Sequence, residues 1–328
     1  MIKIASVKFA IPKGSLEEAT FKILEESWTK VRRKPRTYRV FLDDPEIKVK
    51  MLRPQEIPNL VVDGLYDVGI TGQDWIDENK SDVEQLLDLE YGKIKLVIAI
   101  PDNYRYKSLD DMIRDYAKKK KVLRISSEYL TNASKFVKQC KSYKKLYGSK
   151  DPQIVTPWLR LGTNKNIQIH LSFGATEAKP PDDVDAIMDV TETGTTLKQN
   201  QLKIVDTVMT SSSQLIANKK SLKDKKKREK IFDIVTLMRG AVQGRKYIHI
   251  YMNVKETNLK KLLKEITALK RPTVSPLSEK GWYGINTIIL KSEFHKLVPK
   301  LRRIAQGLVI HEPKQILDLE EIKRDEEN

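Results

Sequence analysis

The chain of 328 residues reads as an α/β protein, with two lobes joined by two crossings and a smaller split βαβ module behind them. Three observations predict this. Short apolar runs alternate with helical periodicities from Val7 to Ala217, the pattern of a largely parallel sheet. A second α/β stretch from Pro101 interrupts the first, which resumes afterwards, so the chain leaves one lobe and re-enters it. From Tyr247 to His311 the order becomes strand, helix, strand, optional strand, helix, strand.

Each element has a local reason. Val7, Phe9 and Ile11 alternate as in a strand until Pro12-Lys13-Gly14-Ser15 breaks it. Ser15 can cap a helix starting at Leu16, with Glu17 and Glu18 favouring its dipole and Leu16, Ala19, Ile23 and Leu24 giving an apolar stripe. Strands follow at Arg39 to Leu42 and Lys48 to Leu52, then a helix at Ile57 to Val62 closed by Asp63-Gly64. Val68-Gly69-Ile70 is a buried strand ending in the turn Thr71 to Trp75, and Lys95 to Ile100 is another. The second lobe predicts a helix at Ser108 to Tyr116, a strand at Val122 to Ser126, a helix at Asn132 to Cys140 and a strand at Ile167 to Leu171. Between them the lysine-rich segment 141–166 lacks periodicity and reads as a surface loop or helix extension. Lys203 to Val208 and Ser213 to Ala217 read as the return to the first lobe. Ser221 to Gln243 is a long connecting helix, charged in its first half and apolar at Ile231, Ile234, Val235, Met238 and Val242. The last module predicts strands at Tyr247 to Val254, Trp282 to Leu290 and Leu308 to His311, with helices at Leu259 to Leu269 and Glu293 to Ile304. The expected domains are 1–101 with 198–221 as the first lobe and 102–197 as the second. Residues 222–245 form the connecting helix, 246–320 the split βαβ module and 321–328 an acidic tail.

Composition narrows the function. The net charge is +17, with lysine clusters at 118–121, 141–145 and 219–230. A solvated lysine surface and a field that attracts polyanionic substrates both fit this charge. Nucleic-acid binding needs a recognition fold or stacking aromatics, and at 7% aromatic content the rings do not interleave with the lysines, apart from Tyr143 and Tyr147. No apolar run approaches the length of a membrane span, and Met1-Ile2-Lys3-Ile4 leads into a strand with no signal peptide. One cysteine, Cys140, excludes an intrachain disulfide, and the four histidines lack zinc-ligand spacing. A reducing cytoplasmic setting is expected.

The most informative stretch runs from Asp189 to Leu197, after the apolar run Val184 to Val190. Two carboxylates (Asp189, Glu192) and three threonines (Thr193, Thr195, Thr196) gather around Gly194. Glycine permits positive φ and close approach of a ligand, successive N–H groups form an anion-binding nest, and the hydroxyls donate to phosphate oxygens. Carboxylates repel phosphate but suit ribose hydroxyls, a cationic group or a phosphate-bound metal. A ligand carrying both sugar and phosphate uses both halves of the loop. The plainer alternative is a capped turn before a helix.

Four blocks in order resemble the long form of ATP phosphoribosyltransferase, the first enzyme of histidine biosynthesis. They are Ala10 to Gly14, Asp67 to Ile76, Asp185 to Leu197, and Arg271 to Leu277 followed by Trp282. The resemblance covers nearly the whole chain. It implies a two-lobed, periplasmic-binding-protein-like catalytic core with a C-terminal ferredoxin-like (ACT-like) regulatory domain. It implies attack of adenine N1 of ATP on C1 of phosphoribosyl pyrophosphate, with loss of pyrophosphate. It further implies Mg²⁺ bound mainly through substrate phosphates, feedback inhibition by histidine, and dimers that assemble into hexamers, with neither nucleic acid nor membrane as partner. The roles carried over are Thr193, Gly194, Thr195 and Thr196 on the 5′-phosphate, and Asp189 and Glu192 on the ribose. Lys13 and Gly14, Arg53, and Gly72 with Asp74 fall on the ATP side, Lys13 also as a catalytic cation for pyrophosphate. Asn253, Leu269 and Thr273 match positions near histidine, and Glu128 sits after a strand end facing the cleft.

Bland readings stand beside these. Lys13 also suits a solvated turn, Asp74 a helix cap before Trp75, Arg53 a surface ion pair, Leu269 core and Pro272-Thr273 a turn. Ser15 stands where many family members carry arginine, so that arginine's role is not carried over. The competing class is a two-lobed solute- or effector-binding protein without catalysis, which gives no reason for Glu192-Thr193-Gly194-Thr195-Thr196.

Overall fold

The computed structural model describes residues 6–33, 37–266 and 271–317. The first elements in chain order are β1 (Val7–Pro12), α1 (Glu17–Ser27), β2 (Val31–Arg33), β3 (Arg39–Leu42), β4 (Ile47–Leu52), α2 (Ile57–Val62), β5 (Val68–Gly72) and α3 (Gln73–Asn79). Next come β6 (Glu84–Asp88), β7 (Ile94–Pro101), α4 (Leu109–Lys118), β8 (Leu123–Ser127), α5 (Leu130–Gln139), α6 (Lys141–Tyr147), β9 (Pro152–Val155) and β10 (Arg160–Leu161). Then follow β11 (Asn164–Leu171), β12 (Ala186–Thr191), α7 (Thr195–Gln199), β13 (Leu202–Ser211), β14 (Ser213–Ala217) and α8 (Lys225–Lys246). The chain closes with β15 (Tyr247–Lys255), α9 (Glu256–Glu265), β16 (Thr273–Pro276), β17 (Trp282–Leu290), α10 (Lys291–Leu301) and β18 (Ala305–His311).

Two compact units result. One comprises residues 8–17 and 50–221, the other the described parts of 1–7, 18–49 and 222–328.

The first unit holds two sheets. In one, β1, β5, β14 and β6 lie side by side in that order, with β1 and β5 parallel through Phe9 opposite Val68. Ala10, Ile57, Val61, Ile76 and Ile216 form a core beneath it. The other sheet has the order β10-β9-β11-β8-β12-β7-β13, with β9, β11, β8 and β12 mutually parallel. Its core runs from Leu96, Ile98 and Ile100 to Met112, Ile113 and Tyr116 of α4 and to Ala133 and Val137 of α5. Ser108 caps α4 by accepting from the Asp111 N–H at 3.2 Å.

The chain changes sheet at 89–93 and at Ser212, not near residues 101 and 197. Lys203 to Val208 therefore does not return to the first sheet. β13 pairs antiparallel with β7 from Leu202 opposite Pro101 to Ser211 opposite Ile94, and only β14 crosses back. The two crossings run side by side, with Ser213 N–H donating to Tyr91 O at 2.9 Å.

Segment 141–166 is neither loop nor simple extension, since it carries α6, β9 and β10. Tyr143 explains the difference. Its ring is fully buried, its hydroxyl donates to Lys150 O at 2.7 Å and accepts from Asn164 Nδ2 at 3.1 Å. One anchored aromatic side folds a segment whose surrounding lysines point outward. The short strands β2 and β6 carry no run of alternating apolar residues and were not legible. Helix α1 begins at Glu17 rather than Leu16, after Glu17 N–H donates to Gly14 O at 3.0 Å. The Gly-Gln-Asp-Trp turn continues as α3.

In the second unit β2 and β3 pair antiparallel, with Val31 opposite Leu42. Asp224 caps α8 by accepting from the Lys226 and Lys227 N–H groups at 3.1 and 3.2 Å. The C-terminal module is a four-stranded sheet of order β16-β17-β15-β18 with α9 and α10 on one face. The helix-facing core is Ile248, Ile250, Met252 and Val254 of β15, Ile285 and Ile289 of β17, and Leu262, Leu297 and Leu301 of the helices. This order is that of a ferredoxin-like βαββαβ unit. Leu269, the predicted end of α9 and the acidic tail lie outside the described residues. Among the described residues no helix is long and apolar enough to cross a membrane.

Candidate active site

β12 carries Asp189 between two paired strands, opposite Val97 of β7. The strand ends at Thr191, whose Oγ1 accepts from Gly194 N–H at 2.8 Å and closes the turn Thr191 to Gly194. Gly194 has φ +81°, a left-handed value that an L side chain adopts only with strain. From there α7 begins, and Lys198 N–H donates to Gly194 O at 3.1 Å. Thr193 Oγ1 and Thr195 Oγ1 share a hydrogen bond of 2.8 Å, while Glu192, Thr193, Thr195 and Thr196 face solvent. The capping alternative does not hold: Gly194 is the N-cap residue of α7, and no side chain caps the helix. The turn is locally closed, yet its hydroxyls stay exposed beside a strand-end carboxylate.

Asp189 is half-buried, and burial pushes its carboxyl up to about 6. The Val190 N–H at 2.7 Å and the Thr176 hydroxyl work against that shift, whereas Glu177 and Glu128 add to it. Glu128 follows β8, and its pKa is also raised, first by burial, with the nearby Gly174 N–H and Lys179 working against the shift.

Lys13, Gly14, Arg53 and Gly72 gather at the ends of β1, β4 and β5. Lys13 N–H donates to Leu52 O at 2.7 Å, and a Cβ on Gly14 would lie 3.5 Å from the Arg53 guanidinium. Carboxyl ends of parallel strands are where open α/β sheets bind ligands. No ion pair holds Arg53 among the described residues.

Asp74 is placed differently from the expectation of a cap. Gly72 is the N-cap residue of α3, and Asp74 lies in the first helical turn, 5% exposed. Its carboxylate accepts from Tyr129 Oη at 2.7 Å and Ser211 Oγ at 2.5 Å. Tyr129 stacks on Trp75 with ring centroids 4.4 Å apart. Glu78, also on α3, accepts from the Thr131 and Asn132 N–H groups at 2.8 and 2.9 Å, the first turn of α5. These side chains join the two sheets of the unit.

Ser126, Ser172, Thr176 and Lys179 belong to no motif that marks them as functional along the chain. Lys179 Nζ donates to Ser172 Oγ at 2.7 Å and Ser126 Oγ at 3.2 Å, and Ser172 Oγ lies 3.0 Å from Thr176 Oγ1. Only the polar string Gly174-Ala175-Thr176-Glu177 between two strands hinted at them.

In the C-terminal module Asn253 of β15 lies opposite Gly284, and Thr273 of β16 opposite Asn286. Pairing through β17 puts both on the sheet face away from α9 and α10. Asn253 Oδ1 is buried without a hydrogen-bond partner.

Fold and site together define a two-sheet α/β unit whose strand ends present a threonine–glycine turn beside a desolvated carboxylate, with a ferredoxin-like module attached. Comparison with known proteins makes the assignment specific. The family described as "ATP phosphoribosyltransferase" matches residues 53–240, and its "HisG, C-terminal domain" matches 244–312. An ATP phosphoribosyltransferase of Solibacter usitatus is 37% identical over 309 residues, covering 92% of this chain and 96% of the relative. One of Pelotomaculum thermopropionicum is 34% identical over 312 residues, covering 94% and 97%. In fold, a chain of the ATP phosphoribosyl transferase (HisG:HisZ) complex from Thermotoga maritima superposes with a TM-score of 0.54 at 24% identity, covering 71% of this chain and 96% of that one. This chain belongs to the ATP phosphoribosyltransferase family, and it is a phosphoribosyl-transferring enzyme.

Proposed function

We propose that the chain condenses ATP with phosphoribosyl pyrophosphate to N1-(5-phosphoribosyl)-ATP and pyrophosphate, the first step of histidine biosynthesis. The observation that carries this is the Asp189 strand end running into the Gly194 turn. The adenine N1 lone pair forms a bond to sugar C1 as the bond from C1 to the diphosphate oxygen breaks, and the diphosphate leaves with the electron pair. Positive charge grows on the sugar and negative charge on the leaving group, so the protein contributes position and electrostatics. Asp189 and Glu192 hold the ribose hydroxyls, and ionised Asp189 offsets the sugar's charge. Thr193, Gly194, Thr195 and Thr196 hold the 5′-phosphate. Lys13, Gly14, Arg53 and Gly72 receive phosphates of ATP. The hydrogen bonds of Asp74 to Tyr129 and Ser211 give it a part in shaping this side.

Magnesium fits as a substrate-borne ion. Mg²⁺ takes phosphate oxygens plus one or two carboxylates, and the loop offers carboxylates beside its phosphate-binding hydroxyls. When bound, it neutralises charge on the departing diphosphate. Histidine is the proposed inhibitor at the helix-free face of the C-terminal module, supported by the unpartnered Asn253 Oδ1. Homo-oligomers and a cytoplasmic setting complete the reading.

The test is an absorbance assay of N1-ribosylated adenine nucleotide from ATP, phosphoribosyl pyrophosphate and Mg²⁺, with and without histidine. The expected result is product formation that histidine suppresses. Folded protein that makes no product from intact substrates overturns the reading in favour of a non-catalytic binding protein.

A further inference from the structure

The polar cluster behind Asp189 contains a cation that the roles above leave unused. Lys179 is half-buried just after the short helical turn Thr176–Ala178. Its ammonium has three N–H donors, and two are given to Ser126 and Ser172, which are 0% and 1% exposed. Ser126 lies near the end of β8, and Ser172 directly follows β11. These are neighbouring parallel strands, paired from Ile167 opposite Leu123 to Leu171 opposite Ser127. The lysine is thus fixed at the carboxyl ends of parallel strands, where ligands bind in such sheets.

No ion pair joins Lys179 to a carboxylate among the described residues. An ammonium held only by hydroxyls has no carboxylate to neutralise it. Its charge acts on Glu128, against the larger upward effect of burial there, and on His170, where it adds to the lowering by burial. Arg124 and Arg160 act on His170 in the same sense, whereas Glu177 and Glu128 place negative charge on the Asp189 side of the cluster. The segment that carries Lys179 also lies by the sugar side: Thr176 Oγ1 is 3.0 Å from Ser172 Oγ, and the Thr176 hydroxyl favours the charged form of Asp189.

We propose that Lys179 is a substrate-binding cation that holds the diphosphate leaving group of the phosphoribosyl donor. The inference rests on the reading of Asp189 and the Gly194 turn as the phosphoribosyl site. With Asp189 on the ribose and the threonine turn on the 5′-phosphate, the diphosphate on C1 takes positive charge beyond that of Mg²⁺ and Lys13. Lys179 supplies it from a fixed position, since Ser126 and Ser172 take up two donors and aim the third. The leaving group gains negative charge as its bond to C1 breaks, so the interaction strengthens in the transition state.

Three variants test this: Lys179→Met, Lys179→Gln, which keeps hydrogen-bond donors but no charge, and Lys179→Arg. Titration calorimetry with inorganic pyrophosphate and Mg²⁺ reads binding without turnover, and steady-state kinetics read the rest. Lys179→Met and Lys179→Gln are expected to weaken pyrophosphate binding and lower kcat roughly 10- to 100-fold, with KM for ATP little changed. Lys179→Arg recovers part of both. Full pyrophosphate binding by Lys179→Gln overturns the proposal, because the lysine is then only a tie between serines. So does loss of binding in Lys13→Met with none in Lys179→Met, which would give the diphosphate to Lys13 alone. A wild-type protein that binds pyrophosphate but makes no product would sink the enzymatic reading instead.

Discussion

At the scale of single residues, Asp189 sets stability against chemistry. Burial raises its pKa from 3.8 to about 6, so the folded state binds more protons than the unfolded state between those values. Stability then falls as pH rises through that window, and the cost is fully present above it. Asp189→Asn is expected to stabilise the fold near neutral pH by roughly 1–3 kcal/mol while cutting kcat about 100-fold or more. Thermal denaturation of both proteins across pH, beside the product assay, checks this. The stabilisation should vanish below the ordinary carboxyl range. Wild-type activity should rise through about pH 6 as the carboxyl ionises. Cys140 makes a simpler case. Burial, then the charge of Asp110, pushes its thiol up to about 12, so thiolate is scarce at neutral pH. Labelling by a thiol reagent is expected to be slow in the native protein and fast once denatured.

At the scale of elements, α3 and α5 join the two sheets of the catalytic unit. Burial raises the pKa of Glu78 even though two α5 amides favour its charged form. Glu78→Ala leaves those amides without their acceptor and is expected to cost about 1 kcal/mol, as for a lost N-cap. Tyr129→Phe removes a buried hydrogen bond to Asp74, at about 1–3 kcal/mol. For a unit of this size each kcal/mol lowers Tm by about 2–4 °C, which calorimetry resolves. The crossings are equally sensitive. Gly92 has φ +62°, and a Cβ there would lie 2.4 Å from the Leu16 side chain. Gly92→Ala is expected to destabilise by more than about 1 kcal/mol, through strain and displacement of Leu16.

At the scale of the whole molecule, the net charge of +17 fits a field that draws in anionic substrates. That predicts a salt-dependent KM for both substrates, steeper than the dependence of kcat, measurable between low and physiological ionic strength. The C-terminal module adds a second measurement. A ligand at about 100 times its Kd stabilises the fold that binds it by about 2.7 kcal/mol. Histidine should therefore raise the melting transition, and Asn253→Ala should remove that rise. An equal rise in the variant would take Asn253 out of the histidine site.

The sequence alone determined the elements with strong periodicity and the loop with unusual chemistry. Strand β17 and helix α2 fall where alternation and a Gly stop placed them, because both signals are local. Asp189, Glu192 and the threonines around Gly194 stand together at one strand end and turn because they are contiguous in the chain. Tertiary structure alone decided which sheet β13 joins, since Lys203 to Val208 fits either and only its hydrogen bonds to β7 choose. It also folded segment 141–166 around the buried Tyr143 ring. And it brought Lys179 to Ser126 and Ser172, residues 53 and 7 positions away. Their grouping depends on β8 and β11 lying side by side, a non-local pairing that no residue pattern along the chain encodes.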